Sequence, residues 1–383
     1  MSMTKFQQDA EGMTLAVACG GTGGHFFPGL AIAREFKRKG GTAILFVGGS
    51  QQDAQIKQAE EEALEAVPSP VVRLPRSKLG LPLFAVRLAW CVLQTARLLG
   101  KHGVDLGIVM GSYASAPLGL ALLLRGKPLA VHEGNAILGR ANRRLAKYAA
   151  HTMLSLPIPE LLCEDDTTLV GMPVRTEILG AADHELEDEE SLSRYEALGL
   201  SPGFPVVLVF GGSQGAEAIN QAVLGAIPRL DFPPLQLVHF TGKEDNREEQ
   251  ELCEKHEIMA QIAARTDQMG AYLAVADLVV SRAGGSTVAE LAVTGRPSIL
   301  IPYPHATDAH QALNAEVVAR AKGGHVIAEA DLTSDALREA ITAALTDPEL
   351  RRSQREGILT LAHPRAAEDI VSLLIYEQRK TSN

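Results

Sequence analysis

Residues 15–25 read LAVACGGTGGH, an apolar run that ends in a glycine-rich turn. A near-copy, VVLVFGGSQG, occupies residues 206–215. Each pattern predicts a buried strand that turns into a helix, because glycine tolerates a positive φ and lets a ligand approach the main chain closely. The unpaired N–H groups and the dipole at the start of the following helix favour phosphate. Two such turns, about 190 residues apart, predict two domains with one anion site each.

The length and composition of the chain also suit two domains. It has 383 residues, of which 46% are hydrophobic, so it can bury two cores. Strand-like runs alternate with helix-like segments, which predicts α/β domains with parallel sheets. We expect two Rossmann-like domains facing a central cleft, at residues 12–175 and 176–363. Residues 364–383 are expected to form a helix, which is a candidate to pack back on the N-terminal domain.

The strands are expected at apolar runs flanked by turn residues. The predicted third strand of the first domain is Val71–Leu74, after Thr14–Cys19 and Thr42–Val47. The expected strands of the second domain include Val206–Phe210, Gln236–Phe240 and Leu278–Ser281.

The charge is uneven along the chain. Residues 1–147 hold 18 Lys and Arg against 10 Asp and Glu, a balance of +8, and the remainder carries −18 of the total of −10. This distribution argues against a general nucleic-acid binder and predicts that the basic N-terminal part faces one specific anionic surface.

The sequence also bears on the cellular compartment. Residues 1–13 are polar and lack the apolar core of a signal peptide. The most apolar stretch, Leu79–Leu99, is interrupted by Arg87, Gln94 and Arg97, so no segment reaches the roughly 20 uninterrupted apolar residues of a membrane span. The four cysteines are far apart in sequence and are expected to be reduced thiols, which favours the cytoplasm.

The first glycine turn resembles a dinucleotide site but lacks the GxGxxG spacing, and no acidic residue ends the second strand, so NAD is disfavoured. His25 ends the turn and is a candidate general base, or alternatively a helix cap or a phosphate-binding cation. A second loop, Gly111–Pro117, could complete a pyrophosphate cradle or be an ordinary connection.

Three further polar segments follow predicted strands. In His132–Asn135, either the side chains meet a ligand at the sheet edge or Asn135 caps a helix. In Ser281–Glu290, Thr287 and Glu290 have the spacing of a capping box, although the same helix start would suit a diphosphate, with Glu290 on a ribose. In Pro302–Asn314, the dense polar groups could bind sugar hydroxyls or form a polar helix start at the surface.

The stretch from Ala66 to Val104 is basic and contains no acidic residue. As a helix it would turn one apolar stripe inward, formed by Leu81, Ala85, Leu88, Val92, Ala96 and Leu99. A second stripe of the same helix contains Trp90, the only tryptophan of the chain. We therefore expect either a face that lies on anionic lipid or a plain solvated face. The residues assigned to this membrane face are Arg76, Lys78, Leu83, Arg87, Trp90 and Arg97. No spacing of His, Cys, Asp or Glu indicates a metal site.

Together, these motifs resemble those of the MurG family, GT-B glycosyltransferases of bacterial cell-wall synthesis. The resemblance runs from about Leu15 to Asn314 and rests on six motifs in the family's order. They are GGTGGH at 20–25, the block at 132–135, GMPVR at 171–175, GGSQG at 211–215, the block at 281–290 and the segment 305–314.

The resemblance implies inverting transfer of N-acetylglucosamine (GlcNAc) from UDP-GlcNAc to the muramyl sugar of lipid I, without a required cofactor, at the cytoplasmic face of the membrane. Cell-wall synthesis proteins are candidate partners. It implies that His25 is the base, and it assigns the acceptor to Gly20, Gly21, Ser112, Tyr113 and Glu133. The donor is assigned to Thr22, Gly23, Gly24, Asn135, Arg175, Ser213, Gly285, Ser286, Thr287, Glu290, Gln311 and Asn314.

The chain departs from the family pattern at a few positions. Gly134 stands where the family usually has Gln, the loop at 111–117 reads GSYASAP rather than GGYxSGP, and Thr266 aligns roughly with an apolar residue that contacts uracil. These departures affect the acceptor side most. Other functions considered are a GT-B enzyme with a soluble acceptor, a nucleotide-sugar epimerase and a non-catalytic nucleotide-binding module.

Overall fold

The chain folds into two α/β domains in a computed structural model that describes residues 9–382, apart from 22, 74, 76, 163, 181–187, 213–215 and 230–234. The N-terminal domain comprises the described residues up to Arg175 together with those from Pro364 onward, and the C-terminal domain is Thr176–His363.

The N-terminal domain is built on a seven-stranded parallel sheet of order β3-β2-β1-β4-β5-β6-β7. Its strands are β1 (Thr14–Ala18), β2 (Thr42–Val47), β3 (Glu65–Pro68), β4 (Leu106–Val109), β5 (Leu129–Glu133), β6 (His151–Leu154) and β7 (Thr167–Leu169). Its helices before the domain boundary are α1 (Gly23–Arg38), α2 (Gln52–Glu61), α3 (Leu81–Lys101), α4 (Ala116–Leu124) and α5 (Arg140–Leu145).

The C-terminal domain has a six-stranded parallel sheet of order β10-β9-β8-β11-β12-β13. Its strands are β8 (Val206–Phe210), β9 (Gln236–Phe240), β10 (Met259–Ala263), β11 (Leu278–Ser281), β12 (Ser298–Leu300) and β13 (His325–Val326). Its helices are α6 (Thr176–Leu179), α7 (Asp188–Ala197), α8 (Glu217–Ala226), α9 (Arg247–Lys255), α10 (Met269–Val275), α11 (Gly285–Thr294), α12 (His310–Arg320), α13 (Ser334–Thr346) and α14 (Pro348–Leu359).

The last helix, α15 (Ala366–Ser382), belongs to the N-terminal domain. It packs on α1, and its apolar residues Ile370, Val371 and Leu374 are buried in the same core as Phe36. The apolar face of α15 therefore completes the layer of helices on one side of the N-terminal sheet.

Each sheet reverses its strand order next to its first strand, between β1 and β4 and between β8 and β11. In open α/β sheets, ligands bind outside the carboxyl ends of the strands at this reversal point. Both glycine turns, Gly20–Gly24 after β1 and Gly211–Gly212 after β8, begin at this edge. The fold thus brings the motifs of each domain to one edge of its sheet.

The two edge strands of the first sheet differ from the prediction made from the sequence. The third strand is Glu65–Pro68 rather than Val71–Leu74, whose last residue lies outside the described residues, and β7 was not predicted. Both are edge strands, and Ala66 and Val67 of β3, like all of β7, are only half-buried. They therefore lack the apolar runs by which the central strands were identified.

Candidate functional site

Three loops meet at the carboxyl edge of the first sheet. A β-carbon at Gly20 would lie 2.2 Å from the nitrogen of Gly48, and one at Gly49 would lie 3.4 Å from Cα of Gly21. Ser112, which follows β4, has a φ of 70°, and its Oγ lies 3.3 Å from the β-carbon position of Gly21. Only glycine permits these main-chain approaches, so the turns after β1, β2 and β4 form one surface rich in backbone groups.

His25 projects from the first turn of α1 toward the loop after β4. A β-carbon at Gly111 would lie 3.3 Å from Nε2 of His25 and 3.4 Å from Nδ2 of Asn142. Gly111 has a φ of 97°, which a residue with a side chain adopts only at a cost. Glycine at 111 therefore leaves room for the imidazole at this edge. Gly23 and Gly24 open α1, while Thr22 lies outside the described residues.

The carboxylate of Glu133 organises the loop after β5. It accepts hydrogen bonds from the main-chain nitrogens of Asn135 (3.1 Å) and Gly139 (2.9 Å), and from the amide nitrogens of Asn135 (3.0 Å) and Asn142 (2.9 Å). The next helix, α5, begins at Arg140 with Gly139 as its N-cap. The alternative in which Asn135 caps a helix is therefore wrong, and the assignments of Asn135 and Glu133 to substrates stay predictions.

The departure at Gly134 has a local explanation. A β-carbon at this position would lie 2.6 Å from Cε of Met172. The methionine side chain packs where a side chain at 134 would begin, so a larger residue at this position would require Met172 to move.

His132 is a buried neutral imidazole beside this loop. Its Nε2 faces the carbonyl of Gly171 at 3.0 Å, and Ser155 Oγ lies 3.2 Å from the same nitrogen. Burial lowers the pKa of His132 to about 4, the Gly171 carbonyl opposes the shift, and nearby His25 adds slightly to it. Nδ1 of His132 and Oδ1 of Asn142 have no hydrogen-bond partner among the described residues. Asn142 went unnoticed in the sequence because it falls inside a helix with a basic pattern.

Arg175 lies next to the first glycine turn of its own domain. Its guanidinium carbon is 5.1 Å from the centroid of the Phe27 ring. The edge of that ring would be 3.2 Å from a β-carbon at Gly23. The Phe27 ring thus connects the cation to the start of α1, an arrangement that places positive charge beside the helix N-terminus.

In the C-terminal domain the main feature is the start of α11. The helix begins at Gly285 after an N-cap Gly284, with no side-chain cap. Thr287 and Glu290 therefore do not form a capping box, because Thr287 stands at the third helical position instead of at the cap. The first N–H groups of a helix have no intrahelical acceptor, and residues 284–287 are only half-buried. Gly285, Ser286 and Thr287 consequently present main-chain N–H groups at a half-exposed helix start, where binding of an anion stays a prediction. Ser213 of the neighbouring turn lies outside the described residues.

Asn314 on α12 fixes the loop that leads into α11. The side chain is fully buried, and Nδ2 donates to the carbonyl of Ala283 at 3.0 Å. Gln311, which is only half-buried, accepts from the nitrogen of Tyr303 at 2.9 Å. Asp308 and Ala309, just before α12, both lie in the left-handed region, with φ of 53° and 54°. Two consecutive residues of this kind store backbone strain that often occurs at ligand sites.

The predicted membrane face lies on α3. Leu83, Val86, Trp90 and Leu93 are between 48% and 68% exposed, and Arg87 and Arg97 are exposed beside them. Leu81 and Ala85, which were expected to face inward, are exposed as well; the buried residues begin further along, at Cys91, Thr95, Ala96 and Leu99. The reason is that only the later turns of α3 pack on the domain. Arg76 and the side chain of Lys78 lie outside the described residues.

By length and composition alone, α3 is long and apolar enough to cross a membrane, the one such helix among the described residues. No span was predicted from the sequence, because Arg87, Gln94 and Arg97 interrupt the apolar stretch. The buried residues Cys91, Thr95, Ala96 and Leu99 pack the later turns of α3 within the N-terminal domain. Among the described residues, no group of three or more His, Cys, Asp or Glu could hold a metal ion.

Comparison with known families defines the class of this chain. The N-terminal domain of glycosyltransferase family 28 matches residues 15–154, and the C-terminal domain of the same family matches residues 206–370. The fold and these matches together define a GT-B glycosyltransferase. A solved structure of MurG from Acinetobacter baumannii has the same fold, with a TM-score of 0.75 at 23% identity over 95% of this chain and 99% of that one.

Curated relatives identify the family within this class of glycosyltransferases. A protein of Geobacter metallireducens named UDP-N-acetylglucosamine--N-acetylmuramyl-(pentapeptide) pyrophosphoryl-undecaprenol N-acetylglucosamine transferase is 36% identical over 96% of this chain and 100% of its own length. A Myxococcus xanthus protein of the same name is 33% identical over 95% of this chain and 92% of its own. The chain belongs to the MurG family. A UDP-GlcNAc 2-epimerase from Neisseria meningitidis also shares the fold, with a TM-score of 0.67 and 13% identity, so fold alone does not separate the two activities.

Proposed function

We propose that this chain transfers GlcNAc from UDP-GlcNAc to the 4-hydroxyl of the muramyl sugar of lipid I, with inversion, to form lipid II. The observation that carries the proposal is 36% identity over the full length of a relative named for this transfer. Two sheets that each hold glycine turns at the reversal point support it, because the enzyme must bind two anionic substrates. The product serves peptidoglycan synthesis, on which cell shape and division depend.

The donor is assigned to the C-terminal domain. The N–H groups of Gly285, Ser286 and Thr287 at the start of α11 would bind the UDP diphosphate, and Glu290 one turn later would accept hydrogen bonds from the ribose. Gln311 and Asn314 would serve the GlcNAc side, Asn314 by holding the loop at Ala283. Ser213 is assigned to the diphosphate by family resemblance.

The acceptor is assigned to the N-terminal domain. Gly20, Gly21, Ser112 and Tyr113 lie on the surface formed by the turns after β1 and β4, and their backbone groups would hold the acceptor pyrophosphate. Arg175 would place its charge against the donor diphosphate as UDP departs. Gly23 and Gly24 at the start of α1, with Thr22 before them in the sequence, would bind the reacting groups of both substrates. Asn135 would bind the donor sugar.

His25 is proposed as the general base. An imidazole suits this role near neutral pH, and His25 lies at the edge where the acceptor would bind. It would take the proton from the 4-hydroxyl as that oxygen attacks the anomeric carbon and the bond to UDP breaks. The transition state would resemble an oxocarbenium ion. Helix N-termini and Arg175 would stabilise the leaving diphosphate, so no metal or other cofactor is required in the proposal.

We place the enzyme on the cytoplasmic face of the membrane as a peripheral protein. The exposed apolar residues of α3 would enter the interface, with Arg87 and Arg97 against anionic headgroups. Lipid-linked acceptor would reach the N-terminal domain from that surface. Other cell-wall synthesis proteins remain candidate partners.

Incubation with UDP-GlcNAc separates the proposed activity from the epimerase that shares the fold. The transferase should leave UDP-GlcNAc unchanged without acceptor and form a β-linked disaccharide when a short-chain lipid I analogue is added. Formation of the 2-epimer of UDP-GlcNAc, or release of UDP without acceptor, would refute the proposal in favour of an epimerase or a hydrolase.

A further inference from the structure

Arg73 lies over the ring of Tyr113, with its guanidinium carbon 5.6 Å from the ring centroid. The side chain of Arg73 is exposed, and a stacked arginine on a protein surface is common by itself. What distinguishes this pair is its place at the carboxyl edge of the first sheet.

The Tyr113 hydroxyl lies 3.8 Å from the β-carbon position of Gly49, which itself packs on Gly21. The segment before Arg73 reaches the same point, because a β-carbon at Gly48 would lie 2.5 Å from Cγ1 of Val71. The main chain and the tyrosine ring therefore place the guanidinium beside the turns after β1, β2 and β4.

Among the described residues, no neighbouring carboxylate neutralises the charge of Arg73. No ion pair to Arg73 is formed among the residues that the structure describes, and residues 66–104 contain no acidic side chain. Stacking leaves the N–H groups at the edge of a guanidinium available for hydrogen bonds, and their fork matches phosphate oxygens.

We infer that Arg73, held on the ring of Tyr113, binds the diphosphate of the acceptor. This inference rests on the proposed function, because it requires an acceptor with a diphosphate at the N-terminal turns. It adds to that function a cation that was not among the predicted site residues. Membrane lipid offers the same chemistry in its phosphate headgroups, and the experiment below separates the two sources.

The test measures kinetics of full-length Arg73→Gln with short-chain, vesicle-free acceptors that carry either a diphosphate or a single phosphate. With the diphosphate acceptor, we expect the acceptor KM to rise roughly tenfold, with the donor KM unchanged, since a charge-assisted hydrogen bond contributes about that much. With the monophosphate acceptor, the change should be less than about threefold. Arg38→Gln, at the exposed end of α1, is the matched control and should leave both KM values unchanged.

The tyrosine supplies a second, independent readout. Tyr113→Phe keeps the ring, so Arg73→Gln should raise the acceptor KM as much in this background as in wild type. Tyr113→Leu removes the ring and should itself raise the acceptor KM. Adding Arg73→Gln to Tyr113→Leu should then raise the acceptor KM little further. An unchanged acceptor KM in Arg73→Gln would overturn the inference, as would equal effects on both acceptors. Weaker binding of Arg73→Gln to anionic vesicles without a change in KM would assign the residue to lipid headgroups instead. If the wild-type protein shows no acceptor-dependent transfer, the proposed function fails as well. Failure of the Arg73 inference alone leaves that transfer intact, so the two failures are distinguishable.

Discussion

Nε2 of His25 lies 3.3 Å from the point where a β-carbon would stand on Gly111. The imidazole on α1 and the loop after β4 therefore share a space that only glycine leaves open. If His25 is the base, His25→Ala should reduce kcat by about 100-fold or more while the affinity for UDP stays within twofold. The control is His256→Ala, at the exposed end of α9. Turnover within a few fold of wild type in His25→Ala would assign the proton transfer to another group.

Gly111→Ala tests whether activity requires the space between the loop after β4 and the His25 imidazole. The new methyl group would press on the imidazole of His25 and on Asn142, so we expect kcat to fall at least tenfold. Gly126→Ala is the matched control, because Gly126 also has a positive φ, 62°, but nothing lies within 4 Å of its β-carbon position. Both variants should lose about 1 kcal/mol of unfolding free energy to backbone strain. Equal activities of the two variants would argue against a role for this space.

Asn314→Ala should weaken donor binding. The substitution removes the hydrogen bond to the carbonyl of Ala283 and leaves that buried carbonyl without its partner, which costs about 1–3 kcal/mol of stability. Because the loop leads into α11, the KM for UDP-GlcNAc should rise several fold with the acceptor KM unchanged. Asn246→Ala removes a similar bond to the carbonyl of Lys243 in an exposed setting and should change neither KM. A normal donor KM in a folded Asn314→Ala protein would contradict the role of the loop.

The buried imidazole of His132 predicts a pH dependence of stability. Its pKa is about 4 in the folded state against an ordinary histidine pKa of 6.5, so the unfolded chain binds the extra proton first as the pH falls. His132 should not affect the free energy of unfolding above pH 6.5. Between pH 6.5 and pH 4, its protonation in the unfolded chain should lower that free energy by about 3 kcal/mol. Chemical denaturation of wild type and His132→Gln between pH 4 and 7 measures this. Parallel curves for the two proteins would show that His132 does not contribute.

Reversing the charge of the membrane face should release the protein from anionic lipid. Arg87→Glu/Arg97→Glu changes the charge by four beside the exposed apolar residues of α3, and each basic residue near such a surface contributes about 1 kcal/mol. Sedimentation with vesicles that contain phosphatidylglycerol should show at least tenfold weaker binding. Arg320→Glu/Arg352→Glu on the C-terminal domain carries the same charge change and should bind normally. Normal binding by the α3 variant would place the membrane face elsewhere.

The sequence predicted correctly those parts of the fold that depend on residues close together in the chain. Glycine turns after apolar runs, such as the one at Gly20, predict a strand, a turn and a helix because a few adjacent residues determine all three. The edge strands β3 and β7 were missed because half-buried strands lack an apolar run. The capping box at Thr287 was wrong because spacing does not say where a helix begins. Asn142, Gly48 and Arg73 were not recognised as neighbours of the site, since only the folded sheet brings them to its edge.

The measurement that tests the central proposal most directly is transfer of labelled GlcNAc from UDP-GlcNAc by the wild-type protein, with and without a short-chain lipid I analogue. We expect labelled disaccharide product only when both substrates are present, with one UDP released for each product. Saturable binding of UDP-GlcNAc without any transfer to the analogue would contradict the proposed acceptor.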